Sequence, residues 1–357
     1  MVEINRSEQK TKHVVVVLGS GRSGTSVLMQ VLASIGMSIS ENLVPPRFHN
    51  TLSPMEDEDM TNIYFKEIFP KVGSNSLLPL PYENMNCNRS LKDAIFRQLK
   101  QIIVKNTNKA KSIWGFKHPA TSLILPLWFQ AFNSTATVPI FLMAVRNPST
   151  SASSRKKSFG HAEAIGELAW LSNYTEALHH IGADCFIVHY EDWFSEPTKI
   201  AKEILSYTGL DQYFTGDVKE VLSQVIKPNL NRSVHEDYQV QNEYVLKLYN
   251  VLKDCRGADF DRARLMAVVK ECRQAMDGFK GWYLIAQENI ARVSTLREQL
   301  QTAKEKQAEI PQLQKRIREL ERENQRLSEM EKEIIRADEA LNHLQELYPQ
   351  NPTHDRL

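Results

Sequence analysis

"HVVVVLGSGRSGTSVLMQ", residues 13–30, puts four consecutive valines ahead of a burst of glycine and small polar residues, with an apolar run behind it. A short, β-branched, continuously apolar segment such as residues 14–18 is the pattern of a strand buried on both faces of a parallel sheet. Val27, Leu28, Val31, Leu32 and Ile35 then recur at three- and four-residue intervals, and Gly36 is a natural stop, so a helix is expected from Thr25 onward. The glycine loop between them lies at the carboxyl end of the strand, where open α/β sheets place their ligands. Two templates fit it. Gly19, Gly21 and Gly24 satisfy the dinucleotide spacing G-x-G-x-x-G, and the same stretch satisfies a Walker-type G-x-x-x-x-G with Thr25 where the lysine belongs.

Outward from this unit, apolar runs with strand character occur at residues 112–116, 138–145 and 185–189, separated by segments of helical periodicity. Strands alternating with helices specify an α/β fold with a parallel, helix-covered sheet. Residues 41–62 and 71–90, rich in Pro, Asn, Ser and acidic residues, read as long loops. The character changes after Gly281, the last glycine: Glu, Gln, Lys, Arg and Leu dominate, and Ile310, Leu313, Ile317, Leu320, Leu327 and Ile334 are spaced in threes, fours and sevens. That is the pattern of a long α-helical coiled coil. Its register puts Asn324 at an a position, which points to a homodimer, the other reading being a single solvated helix that folds back on the globular part; it also puts Glu331 and Asp338 on the seam, and the later leucines suit a shifted frame. Pro311 predicts that a helix begins there or that the rod kinks. The expected organisation is a catalytic domain at 1–245, a helical extension at 246–285, a coiled coil at 286–349 and a tail at 350–357.

The 357 residues are 42% hydrophobic, enough for a proper core, and the net charge of +1 points to neither nucleic acid nor an anionic membrane surface. A polar start and the lack of any run near 18 apolar residues predict no signal peptide and no transmembrane segment. Cys87, Cys185, Cys255 and Cys272 lie far apart without C-x-x-C, and the ten histidines show no metal-ligand spacing. The expectation is a cytoplasmic protein with no metal.

The remaining motifs choose between the loop readings. A Walker loop needs its lysine, yet the basic residue here is Arg22, two positions before Gly24; the dinucleotide reading needs an acidic residue at the end of a second strand, and Glu41 follows a poor one. GSGRSGTS resembles the 5′-phosphosulfate loop of sulfotransferases that use 3′-phosphoadenosine 5′-phosphosulfate (PAPS). Ser23, Gly24, Thr25 and Ser26 would present N–H groups and hydroxyls at a helix N-terminus, an anion site that needs no metal, and Arg22 would add full charge. "FLMAVRNPSTSASSRKKS" is similar to the family's R-[ND]-P segment and later serine, so the resemblance implies that Arg146 and Ser154 bind the 3′-phosphate that separates PAPS from ATP. Arginine suits the task through its bidentate fork. Arg155, Lys156 and Lys157 either add positive charge to that site or form a solvated helix face, and the second is the expectation. "HYEDWFSEPTKI" is similar to the family's Y-E-D-L segment, with Tyr190, Glu191 and Asp192 architectural.

On the acceptor side, "LSPMEDEDMTNIYF" is similar to a family stretch in which a glutamate precedes a helix, and Glu56 falls on it, with Glu58 next. "WGFKHPATSL" resembles W-G-x-K-x-P-R; Lys117 and Pro119 match, whereas His118 and Ala120 depart. "IKPNLNRS" resembles a late nucleotide-contacting segment and offers Arg232. The resemblance, which spans about residues 13–235, implies a P-loop-like sulfotransferase fold and in-line sulfuryl transfer to a hydroxyl, on a saccharide or glycoconjugate. Glu56 would be general base, with His49 and His118 as fallbacks; Lys117 would steady the transferring group or the acceptor, and Arg22 the leaving phosphate. The alternatives are a P-loop nucleoside triphosphate-dependent kinase and a non-catalytic coiled-coil scaffold carrying a degenerate domain.

Overall fold

A computed structural model of the chain describes residues 11–46, 53–72, 88–227, 238–278 and 280–347. The opening stretch forms β1 (Lys12–Leu18) and α1 (Thr25–Ser34). A run of helical turns follows, α2 (Glu58–Asn62), a π-helical turn (Ile63–Ile68) and α3 (Phe69–Val72), and then α4 (Arg89–Lys109) leads into β2 (Trp114–Lys117). A 3-10 segment (Pro119–Ile124) and α5 (Leu125–Ser134) precede β3 (Thr137–Val145), α6 (Pro148–Phe159) and α7 (Glu163–Ile181). β4 (Phe186–His189) is followed by α8 (Pro197–Thr208), α9 (Val218–Val225), α10 (Glu243–Leu252), α11 (Arg262–Gly278) and α12 (Lys280–Leu347).

The four strands pair in parallel in the order β2-β1-β3-β4. Val14 through Leu18 are at most 1% exposed, as a central strand covered on both faces requires. Burial of each such side chain is worth roughly 1.5–3 kcal/mol. On one face β1, α1, α8 and α9 share a core that includes Val15, Val17, Leu28, Leu32, Ile204 and Leu222. Elsewhere Trp114, Phe116, Trp128 and Phe132 stack ring on ring, with centroids 4.6–5.5 Å apart.

This order puts the switch point of the sheet beside β1, since β2 lies on one side of it and β3 on the other. Leu18 is in register with Met143 and Val17 with Lys117. The carboxyl ends of β1, β2 and β3 therefore finish at one level, and residues more than a hundred positions apart in sequence meet there.

Two expectations are corrected, and of the two readings of Pro311 one is excluded. Residues 58–62 of the first expected loop are helical, because Asp57 caps α2 by accepting from the Met60 N–H (3.0 Å). β2 begins at Trp114, not at 112, because Ser112 instead bonds Ser38 (3.0 Å). No helix begins at Pro311, since α12 runs through it; the proline removes one backbone bond from a helix long enough to lose it. The chain divides into two compact units, 1–288 and 289–357. Among the described residues no helix is long and apolar enough to cross a membrane.

Candidate active site

Helix α1 starts where the backbone turns sharply through two left-handed residues. Gly24, its N-cap, has φ +86°, and a Cβ there would lie 2.4 Å from Cδ2 of Tyr190. Only glycine meets both demands. Arg22 also adopts a positive φ, 74°, which costs a non-glycine residue on the order of 1–3 kcal/mol. No side chain caps this helix. Its first-turn N–H groups and its positive dipole end therefore face the loop, the arrangement that attracts anions. Thr25 and Ser23 are buried, with Ser23 Oγ 3.5 Å from Ser151 Oγ of α6. Ser26 Oγ donates to the Pro54 carbonyl (3.0 Å), which ties the loop to the segment bearing Glu56.

Arg146 follows β3 directly, and its guanidinium donates to the Arg22 carbonyl (3.4 Å) while stacking 4.2 Å over the Tyr190 ring. Asn147 caps α6 by accepting from the Ser149 N–H (2.9 Å), and Pro148 occupies the first turn. That cap sets the helix phase so that Ser154 faces back to the loop, where its Oγ accepts from Arg22 Nε (3.1 Å). Arg22, Ser23, Arg146 and Ser154 are thus drawn together at one end of the sheet. The expected solvated face at 155–157 holds only for Lys156 and Lys157. Arg155 is buried, and its Nη1 lies 3.4 Å from where a Cβ on Gly21 would stand. Its spacing four residues after Ser151 places both on one helix face, a signal the sequence carried.

The second cluster grows from β2. Lys117 ends that strand with its side chain 4% exposed, and its Nζ donates to Glu56 Oε1 (2.7 Å). Of the acidic run, Asp57 is spent on capping α2 and Asp59 pairs with Lys105 (2.6 Å); Glu58 lies in the first turn of α2. His118 sits 4.0 Å from Glu56 Oε2 and stacks on the Tyr64 ring at 4.2 Å. Its Nδ1 accepts from the Ala120 N–H (3.2 Å), and burial drives its pKa down to about 4. Near neutral pH the ring is uncharged with its proton on Nε2, so it has no vacant nitrogen with which to act as a base. Tyr64, which shares its hydroxyl with Thr121 (3.0 Å) and Trp128 (2.9 Å), fixes that ring from behind. Sequence reasoning did not single out Tyr64, whose only sign was an aromatic following the acidic run.

His49 and Arg232 lie outside the described residues. Where the chain returns, buried Glu167 of α7 accepts from the Tyr238 hydroxyl and from the N–H groups of Gln241 (2.9 Å) and Asn242 (2.8 Å). Among the described residues no group of three His, Cys, Asp or Glu side chains is placed to hold a metal.

A family model described as "Sulfotransferase family" matches residues 15–215, more than half of the chain and every described residue of both clusters. Two solved structures are similar over most of their length. The sulfotransferase domain from the Synechococcus PCC 7002 olefin synthase is 15% identical, covering 74% of this chain and 96% of that one at a TM-score of 0.37. The sulfotransferase domain from the curacin biosynthetic pathway is also 15% identical, covering 72% and 98% at 0.36. Among curated proteins none matches the chain.

Proposed function

Because the chain belongs to the sulfotransferase family, we propose that it moves a sulfuryl group from PAPS to an acceptor hydroxyl, on a saccharide or glycoconjugate. The observation that carries the donor half is the meeting of Arg22, Arg146 and Ser154 beside an uncapped helix N-terminus. Two guanidinium forks, buried hydroxyls and the N–H groups of a helix N-terminus suit a nucleotide with phosphates at both ends of its ribose. When bound, PAPS supplies the sulfuryl group and carries its own leaving phosphate. Arg22, Ser23, Gly24, Thr25 and Ser26 would hold the 5′ side, Arg146 and Ser154 the 3′-phosphate, and Arg232 would add a further contact.

The protein's own task is then positioning and charge stabilisation, as in phosphoryl transfer. Lys117 holds one oxygen of Glu56 by a charge-assisted bond and orients the carboxylate. Glu56 is the more exposed member of that pair, 17% against 4%, so it is the group an acceptor reaches. Its second oxygen would take the hydroxyl proton as general base. The hydrogen bond that His118 Nδ1 accepts from Ala120 argues against that histidine as the base.

Thr25 in place of the Walker lysine, together with the family match, argues against a triphosphate-dependent kinase. A homodimer through α12 completes the reading. The test is a sulfate-transfer assay with PAPS across oligosaccharides, lipids and small phenols. Sulfated saccharide is expected; transfer to phenols alone would displace the acceptor, and no turnover with any acceptor would leave a donor-binding scaffold.

A further inference from the structure

Every described residue from 291 to 347 is exposed, including Leu296, Leu300, Ile310, Leu313, Ile317 and Leu320. An isolated helix carrying such a stripe in water has little to stabilise it, since most helical stability comes from packing an apolar face. Because α12 passes through Pro311 without a break, the stripe can be followed along its whole length. It consists of three successive seams, from Val293 to Ile310, from Ile310 to Leu327 and from Leu327 to Leu344, each spanning 17 residues in steps of three, four, three, four and three. That is about 3.4 residues per turn, shorter than both the 3.5 of heptads and the 3.6 of a free helix, so the stripe stays on one side only if the helix supercoils to the left around something. In this frame Glu331 and Asp338 leave the seam, Met330 and Ala337 replace them, and Pro311 faces away from it.

Resting on the homodimer of the proposed function, we propose that the two copies of α12 pack parallel and in register from Val293 to Leu344. Two polar residues in the seam decide the direction. Gln307 and Asn324 occupy equivalent places in consecutive seams. In the parallel, in-register pair each amide faces its own counterpart, and Asn and Gln carry both donor and acceptor. The step pattern is palindromic, so an antiparallel pair also aligns seam with seam; that alignment sets Asn324 against Leu313 and Gln307 against Met330, each amide buried without a partner. Ile310 and Ile317 at a with Leu313, Leu320 and Leu327 at d are the two-stranded choice, and a lone Asn at a fixes register. The flanks agree: Arg316 at g meets Glu321 at e of the copy, and no like charges face each other in that seam.

The test uses the full chain in solution. Sedimentation equilibrium is expected to give twice the chain mass. In a glutathione redox buffer Asn324→Cys alone is expected to form a covalent dimer, since facing a positions lie within disulfide reach; the unsubstituted chain is the control. A mixture of Asn324→Cys and Leu313→Cys chains is expected to give no mixed disulfide. Replacing Leu313 and Leu320 by Lys together is expected to give a monomer with reduced helical circular dichroism and an unchanged melting transition for the catalytic unit. A monomeric or higher-order native mass, an Asn324→Cys chain that stays uncross-linked, or cross-linking confined to the mixture would each overturn the proposal.

Discussion

Glu56 is the residue on which the proposed chemistry turns, and its setting separates two kinds of consequence. Glu56→Gln keeps the shape and loses the base, so turnover should fall by about 10²- to 10⁴-fold while affinity for adenosine 3′,5′-bisphosphate stays the same; unchanged turnover would remove the glutamate from the role. His118 behaves differently, because its ring is held uncharged by burial between Tyr64 and the Glu56–Lys117 pair. Its folded pKa, about 4, lies below the usual 6.5, so the unfolded chain binds more protons between those values. Its contribution to stability is therefore full above about pH 6.5 and is lost as pH falls toward 4, by on the order of 3 kcal/mol. His118→Gln should flatten the fall in melting temperature between pH 7 and pH 4.5. A variant as acid-sensitive as the parent would show that other groups carry that dependence.

At the scale of elements, the loop between β1 and α1 works because its backbone takes shapes that side chains resist. Gly24→Ala should lower stability by about 1–3 kcal/mol and weaken bisphosphate binding together, since the added methyl meets Tyr190 and displaces the ring on which Arg146 rests. Thermal melting beside a binding titration checks this, and full stability with full affinity would contradict it. The strand-loop-helix unit was legible in residues 13–30 because burial on both faces writes an unbroken apolar run, and the Arg146 segment because it follows such a run directly. What brings Arg22, Arg146 and Ser154 together is strand order, which local periodicity does not encode. Arg155 differs from expectation for a related reason: arginine is usually solvated, and its shared helix face with Ser151 shows which side it is on but not that the side is buried. The two-residue offset at β2 likewise follows from the Ser112 bond to Ser38, a pairing 74 positions apart.

At the scale of the whole molecule, the chain joins a unit that holds the candidate site to a helical unit that shows none of its apolar stripe buried, and the two make separable predictions. Breaking the α12 seam should change mass in solution without changing the heat of nucleotide binding. The central claim concerns the first unit, that its sheet end is shaped for a nucleotide carrying phosphate on both the 3′ and 5′ positions. Isothermal titration calorimetry with adenosine 3′,5′-bisphosphate in the presence of a chelator tests it most directly. The account predicts saturable binding without a divalent ion, weakened at least tenfold by Arg146→Ala, with AMP binding barely altered by the same substitution. Binding of ATP with magnesium in the absence of any heat from the bisphosphate, or equal loss of both nucleotides in the variant, would contradict it.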